Sequence, residues 1–562
     1  MLKNLIRRLV RGAVKNPEQG PRAASGPHAV VDEKRARDAF HRAIDEIKRG
    51  QPQAGERLLR ETIALNPGFA DAHFHLGQLY GQRGATGDAA DCYEQAIECN
   101  PENIEAYGAL AALRKSQGCH ADAIEHYQRI IELSPEDAAV YTNLCLALHE
   151  VADYEAARQA GERAVAIDPS LPEAHHNLGL VLRELGEPGR AVQQFQTALE
   201  LKPRAEVAAG LAHAYRDLGR PREAIAAYDR ALRLDPGLGD AVINRAYAFL
   251  LNEDYGSGWT EYEHRFVAFG SSPRSFGLPH WEGENLEGKT ILVYAEQGLG
   301  DGILFASCLP DILARAERVI VECSERLAPL FKRSFPQAMV RGGKKEDPTE
   351  WVAQYAPVHF QLPIGGLPRW FRPDRASFPL DGAYLQADPK LIDRWRSRLA
   401  VGDRKLVGIS WRGGSPRTRG GLRSVPLAFL APLLEQDAIF VSLQHGFVPH
   451  ELDAAGGHVK TFAGVTDDPD QLAALIAAVD LVVSVDNTTV QFAGALGTPV
   501  WVMLSASPEW RYGLSSETMP WYPSARLFRQ GSDRRWEPVV RSIADAFERW
   551  RGNADSRDDA LR

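Results

Sequence analysis

The stretch NLGLVLRELGEPGRAVQQFQTALELKP (residues 177–203) decides the fold of the first half of the chain. A leucine, Leu178, is followed by a small residue, Gly179. Ala191 comes thirteen residues past the leucine, Ala198 seven further on, and Pro203 closes the unit. Working outward in both directions, the same residue classes return. Prolines stand at 67, 101, 135, 169, 203 and 236, in steps of 34, 34, 34, 34 and 33. Leu76, Leu110, Leu144 and Leu211 match Leu178, and each is followed by a small residue: Gly77, Ala111, Cys145 and Ala212. Ala89, Ala123, Ala157 and Ala224 match Ala191. Ala96, Ile130, Ala164 and Ala231 match Ala198.

A fixed period of this length marks a helical repeat array. Small residues let the two helices of a unit approach closely. Large ones (Tyr80, Tyr93, Tyr127, Phe195, Tyr228) wedge into the next unit, and proline stops the second helix. The pattern resembles the tetratricopeptide repeat. It predicts six such repeats over 36–237, an all-α solenoid whose concave face holds an extended protein or peptide. Asn143, Asn177 and Asn244 stand just before the recurring leucine position or its equivalent. In this repeat family that position looks into the groove, so their amides are candidate partners for a peptide backbone. Over 238–277, Asn244, Ala246 and Tyr247 read as a partial seventh unit. Trp259, Tyr262 and Phe266 then cap the array and weld it to the next domain.

Composition excludes several classes of function. The 562 residues require several domains. A net charge of −9 argues against nucleic acid as a partner. The six cysteines (Cys92, Cys99, Cys119, Cys145, Cys308, Cys323) make no C-x-x-C pair and no Cys/His cluster. They read as reduced thiols in a cytoplasmic protein, with no metal site. No apolar run is long enough to span a bilayer. Residues 1–15 alternate Leu2, Leu5, Ile6, Leu9 and Val10 with Lys3, Arg7, Arg8, Arg11 and Lys15. That is a basic amphipathic helix, suited to the anionic inner face of a membrane or to a docking partner. Residues 16–35 read as a linker and 553–562 as a disordered tail.

After residue 278 short apolar runs alternate with helical stretches. Ile291–Ala295, Val319–Glu322, Leu406–Trp411, Ile439–Leu443, Leu481–Val485 and Val500–Leu504 read as buried strands of parallel sheets. Two lobes are expected, over 278–385 and 405–552, joined by a crossover at 386–404. Two strand-to-helix turns carry chemistry. In Gln297-Gly298-Leu299-Gly300-Asp301, Gly298 and Gly300 permit close approach of a ligand to a helix N-terminus, and Asp301 sits at the helix start as cap or as reactive carboxylate. In Asp486-Asn487-Thr488-Thr489, followed by Gln491 and Gly494, polar groups end an apolar strand where a diphosphate can sit.

These stretches, with Ser410-Trp411-Arg412-Gly413-Gly414, Leu422-Arg423-Ser424-Val425-Pro426-Leu427, Val441–Gln444 and Trp521–Gln530, resemble bacterial tetratricopeptide proteins whose C-terminal half looks like family-9, heptosyltransferase-like glycosyltransferases. The resemblance implies a two-lobed GT-B (Rossmann-like) fold. It implies a nucleotide-sugar donor as substrate, and neither metal nor cofactor. It places Asp301 at the general base, Arg412 and Arg423 as candidates for the donor phosphates, and Asp486, Asn487, Thr488 and Thr489 at the diphosphate turn. The family usually carries His where this chain has Gln491, which cannot bear a positive charge. Three readings of function result: a glycosyltransferase whose repeats present an acceptor, with protein a candidate; a repeat scaffold with a degenerate, inactive transferase half; or a membrane-associated assembly factor acting through the basic N-terminal helix.

Overall fold

The computed structural model describes residues 27–268, 270–296, 298–344, 346–379, 382–399, 402, 404–414, 420–446, 448–454 and 456–552. The basic stretch 1–15 and the tail 553–562 lie outside the described residues, as do Gln297 and residues 415–419. The chain forms two compact units, Met1–Ser170 and Leu171–Arg562.

Among the described residues the regular elements of the first unit are all helices: Pro27–Lys48, Pro52–Leu65, Ala70–Gln82, Thr86–Cys99, Ile104–Ser116, His120–Leu133, Ala138–Glu150 and Tyr154–Ile167. Residues 27–35, read from sequence as linker, are therefore helical. The apolar positions of Pro27–Lys48 pack on its partner helix, as in Ala43 with Leu59. Within each pair the turn needs one left-handed residue. Gly50, Gly84 and Gly118 supply it at φ 77°, 76° and 77°, and Ala152 does so at φ 59°. The small residues act as expected. A Cβ on Gly77 would lie 2.7 Å from the ring of Tyr93 on the partner helix of the same unit, so glycine is what lets the two helices approach. Each second helix ends two residues before the repeat proline. There the side chain of Asn66 or Asn100 accepts from the N–H two residues on, across the proline (3.0 and 3.1 Å), turning the chain into the next repeat.

The second unit opens with helices Pro172–Glu184, Pro188–Leu201, Ala205–Asp217, Pro221–Leu234, Gly239–Leu251 and Tyr255–Tyr262. The Phe195 ring is held between Gly179 and Gly210, whose absent Cβ atoms would lie 2.8 and 2.7 Å from it. The last two helices form a complete pair rather than a fragment, with Glu253 at φ 60° in the turn and the second helix cut to eight residues.

Two parallel sheets complete the unit. The first comprises β1 (Thr290–Tyr294), β2 (Arg318–Ser324), β3 (Met339–Gly343) and β4 (Phe360–Pro363), in the order β3-β2-β1-β4. The second comprises β5 (Lys405–Ser410), β6 (Ala438–Ser442), β7 (Val459–Lys460), β8 (Leu481–Val485), β9 (Val500–Leu504) and β10 (Ala525–Arg529), in the order β10-β9-β8-β5-β6-β7. The central strands β1, β8 and β9 are buried at every position, as apolar runs covered on both faces must be. Each order reverses once, at β1 between β2 and β4 and at β5 between β6 and β8. Such switch points open a crevice at the carboxyl ends of the strands. Both glycine- or Asx-bearing turns singled out from sequence leave from these crevices.

Candidate functional site

Helix Leu299–Ala306 follows β1 in the chain, and at Gly300 a Cβ would lie 3.3 Å from Thr488 Oγ1. Gly298 is the N-cap of that helix, in extended conformation, and no side chain caps the helix. Asp301, third in that helix, therefore does not cap it. Its Oδ1 accepts from Arg511 Nη1 at 3.2 Å. Arg511 Nη2 donates to Glu509 Oε2 at 3.4 Å, Glu509 Oε1 accepts from Arg423 Nη1 at 2.6 Å, and Arg423 Nη1 also reaches Asp486 Oδ2 at 3.3 Å. The result is an alternating chain of charges, Asp301–Arg511–Glu509–Arg423–Asp486, running from the first lobe into the second.

The environment sets each protonation state. Burial pushes the Asp486 carboxyl up to about 7 against the pull of Arg423, and its Oδ1 has no hydrogen-bond partner among the described residues. Burial also acts on Glu509, but Arg511, Arg423 and Arg216 outweigh it and hold that carboxyl below its usual range.

A cavity of about 550 Å³ lies over this chain. Asp301, Arg423, Arg511 and Trp510 line it from the lobes. Arg216, Asn244 and Tyr247 line it from the last repeat helices. Tyr247 feels the charges of Asp301, Glu509, Arg511 and Arg216 together, and burial first, then Asp301, pushes its phenol up to about 12. The wall is fixed from below by an aromatic cluster. Trp259 meets Trp510, Trp521 and Phe305 edge to face at 5.5–6.4 Å, and its Nε1 donates to the Arg372 carbonyl at 2.8 Å. Arg265, 1% exposed, anchors the β1 turn through both carboxylate oxygens of Glu296, each at 2.9 Å.

Several expected site residues have other places. Gly494 makes room for Tyr522, whose ring carbon would lie 2.2 Å from a Cβ there. Gln491 is 2% exposed; its Oε1 accepts from Tyr522 (2.9 Å) and its Nε2 donates to Tyr512 (3.5 Å), so its amide is engaged inside the lobe. Asn487 caps its helix through Thr489 N–H (2.9 Å) and donates to Ser410 Oγ (2.7 Å) and the Arg412 carbonyl (3.1 Å), stapling β8 to β5. Thr489 is buried against the Leu443 carbonyl. Arg412 is half exposed and paired with Glu451, outside the cavity lining. Thr488 is exposed, with its Oγ1 3.3 Å from where a Cβ on Gly300 would stand.

The repeat asparagines also differ from a free peptide-binding row. Asn143 donates to the Ala139 carbonyl (3.1 Å) and accepts from Lys115 (3.0 Å), and Asn177 is buried. Asn244 repeats the Asn143 pattern with the Asp240 carbonyl (2.8 Å) and Arg216 (2.9 Å), and it alone of the three lines the cavity. Arg511, Glu509, Arg216 and Tyr247 were missed from sequence. The signal for Arg216 was available: a basic residue stands 28 positions before both Asn143 and Asn244.

Models of the tetratricopeptide repeat match residues 40–104, 109–172, 92–125, 172–205 and 205–238, so the helical array consists of tetratricopeptide repeats, a scaffold for protein interaction. Protein FlbA of Caulobacter vibrioides is 34% identical over 324 residues, which are 54% of this chain and 54% of that protein. The chain thus spans about half the length of this curated relative. Among solved structures, TTC0263, a thermophilic TPR protein of Thermus thermophilus, is 27% identical, with 32% of this chain and 99% of that one covered at a TM-score of 0.27. YrrB, described as a TPR protein with an unusual peptide-binding site, is 19% identical, with 32% and 92% covered at a TM-score of 0.29. No described helix is long and apolar enough to cross a membrane.

Proposed function

We propose that the chain is a glycosyltransferase of GT-B type that moves a sugar from a nucleotide-sugar donor to an acceptor presented by the repeats. The observation that carries this reading is the shared cavity. The Asp301 carboxylate at one switch point, the Arg423 and Arg511 guanidinium groups of the other lobe, and a wall of repeat residues border one volume. About 550 Å³ lies in the range of small-ligand sites.

In this mechanism an acceptor hydroxyl enters beside Asp301. Its proton passes to Asp301 Oδ as its oxygen attacks the anomeric carbon. The new C–O bond forms while the anomeric carbon–phosphate oxygen bond breaks, and the electron pair leaves with the nucleoside diphosphate. Arg511 Nη1 orients Asp301, and Arg423 and Arg511 offset the negative charge that develops on the leaving group. Glu509 bonds to both guanidinium groups and must yield to the diphosphate.

The same Glu509 contact, with Gln491 buried where the resembling family has His, favours the second reading, a repeat scaffold with an inactive transferase half. One experiment separates them. The purified chain is incubated with a panel of nucleotide sugars and candidate acceptor proteins, and nucleoside diphosphate release is followed beside Asp301→Asn. Release that depends on acceptor and on Asp301 supports the transferase. Absence of release with every donor–acceptor pair sinks it.

A further inference from the structure

Two of the arginines that line the cavity sit in ion pairs. Arg423 is bonded to Glu509 and Asp486, and Arg511 to Asp301 and Glu509. Arg216 differs. It is the penultimate residue of helix Ala205–Asp217, and its Nη1 donates at 2.9 Å to a neutral group, the Asn244 amide oxygen. Asn244 is itself held by its Nδ2 on the Asp240 carbonyl, so it fixes the guanidinium without neutralising it. The carboxylate of the adjacent Asp217 is turned to Arg183 Nε at 3.0 Å. Among the described residues no carboxylate comes within 4.0 Å of the Arg216 guanidinium nitrogens; Asp217 and Glu509 act on it only through space.

Burial disfavours the Arg216 cation, but the through-space pull of Tyr228, Asp217 and Glu509 outweighs it, so the guanidinium stays charged although no carboxylate is bonded to it. A planar guanidinium held at one nitrogen by an amide keeps its other donors for a two-oxygen anion. We propose that Arg216, held by Asn244 and flanked by Tyr247, binds an anionic group, phosphate or carboxylate, of the ligand that fills the cavity. The inference rests on the transferase reading only for the two sources it names: a phosphate of the donor, or a carboxylate of the acceptor. The repeat array then supplies a binding residue to the site in addition to delivering a partner to it.

Calorimetric titration of the full-length chain tests this with two probes, inorganic pyrophosphate and malonate. Wild type is compared with Arg216→Gln, Arg216→Lys and Asn244→Ala, each checked for folding by thermal melting. At least one probe is expected to bind wild type. Arg216→Gln is expected to weaken that binding at least about tenfold, and Arg216→Lys to recover part of it, since lysine keeps the charge and loses the fork. Selective loss of pyrophosphate identifies the donor phosphate as the anion, and selective loss of malonate identifies an acceptor carboxylate. Equal affinity in Arg216→Gln, or no binding of either probe to wild type at millimolar concentration, overturns the proposal. Should Arg216→Gln not fold, Asn244→Ala decides: binding several-fold weaker is expected, and unchanged binding overturns it. The readout needs no turnover. A chain that binds through Arg216 yet releases no nucleoside diphosphate keeps this subsite and loses the transferase, and the reverse result loses only the subsite.

Discussion

The repeats and the α/β half treat polar side chains in opposite ways. In the repeats, partners come from the neighbouring unit of sequence: Lys115 with Asn143 and Arg183 with Asp217 are 28 and 34 residues apart. In the α/β half, the chain of charges joins residues 210, 86 and 63 apart. A periodic structure repeats its local solutions. A site at two switch points instead gathers residues from many elements. The difference explains why Asn143 holds neighbouring repeat helices together while Asp301 and Arg423 face a cavity.

If that contrast is right, substitutions on the two sides have unlike signatures. The largest effect is expected at Asp301. On the proposed transferase reading, Asp301→Asn is expected to lower transfer rate by about 10²–10⁴-fold, the usual worth of a general base, while the melting temperature stays close to wild type. Asn143→Ala leaves the rate unchanged; a comparable loss there would erase the distinction.

Next comes the buried pair beneath the β1 turn. Glu296→Ala removes the two-oxygen partner of Arg265, which is 1% exposed, and leaves it Glu263 (3.2 Å) and the Tyr262 carbonyl (3.1 Å); the expected cost in denaturant unfolding is about 3 kcal/mol, the low end for a broken buried pair. Burial pushes the Glu296 carboxyl up against the pull of Arg265 and the Gly365 N–H.

The third expectation concerns pH. Asp486 loses its proton only near about 7 in the fold, whereas an unfolded carboxyl does so near about 4. Between those values the folded chain binds more protons, so this group's contribution to stability falls as pH rises from about 4 to about 7, then levels off. Asp486→Asn is expected to remove that fall, measured as the wild-type-minus-variant difference in unfolding free energy across the range. An identical slope in both proteins would place the titration elsewhere.

The smallest effect lies in the repeats. Ala152 occupies, at φ 59°, the left-handed turn position that Gly84 and Gly118 hold elsewhere. Ala152→Gly is expected to stabilise the chain by about 0.5–1 kcal/mol, relief of αL strain less the added chain entropy. Gly118→Ala is expected to destabilise it by a similar amount.

The sequence by itself determined the repeat array, its period, the close approach at Gly77 and Gly179 and the ends of the second helices, because those depend on residues within one or two units of each other. It also placed the main strands β1, β2, β5, β6, β8 and β9, whose unbroken apolar runs demand burial on both faces. The short or polar strands β3, β4, β7 and β10 escaped it, since Met339–Gly343 or Val459–Lys460 has no pattern of its own and is a strand only by pairing with a neighbour. The sequence named Asp301, Arg423 and Asn244, which line the cavity, but only the tertiary structure assembled the site around them. It turned Gln491 and Gly494 inward against Tyr522, set Glu509 and Arg511 between Asp301 and Arg423, and brought Arg216 and Tyr247 of the repeats to the same cavity. The physical reason is that side-chain direction and charge pairing at a sheet crevice depend on which distant segments meet there, and no local rule of propensity or spacing carries that information.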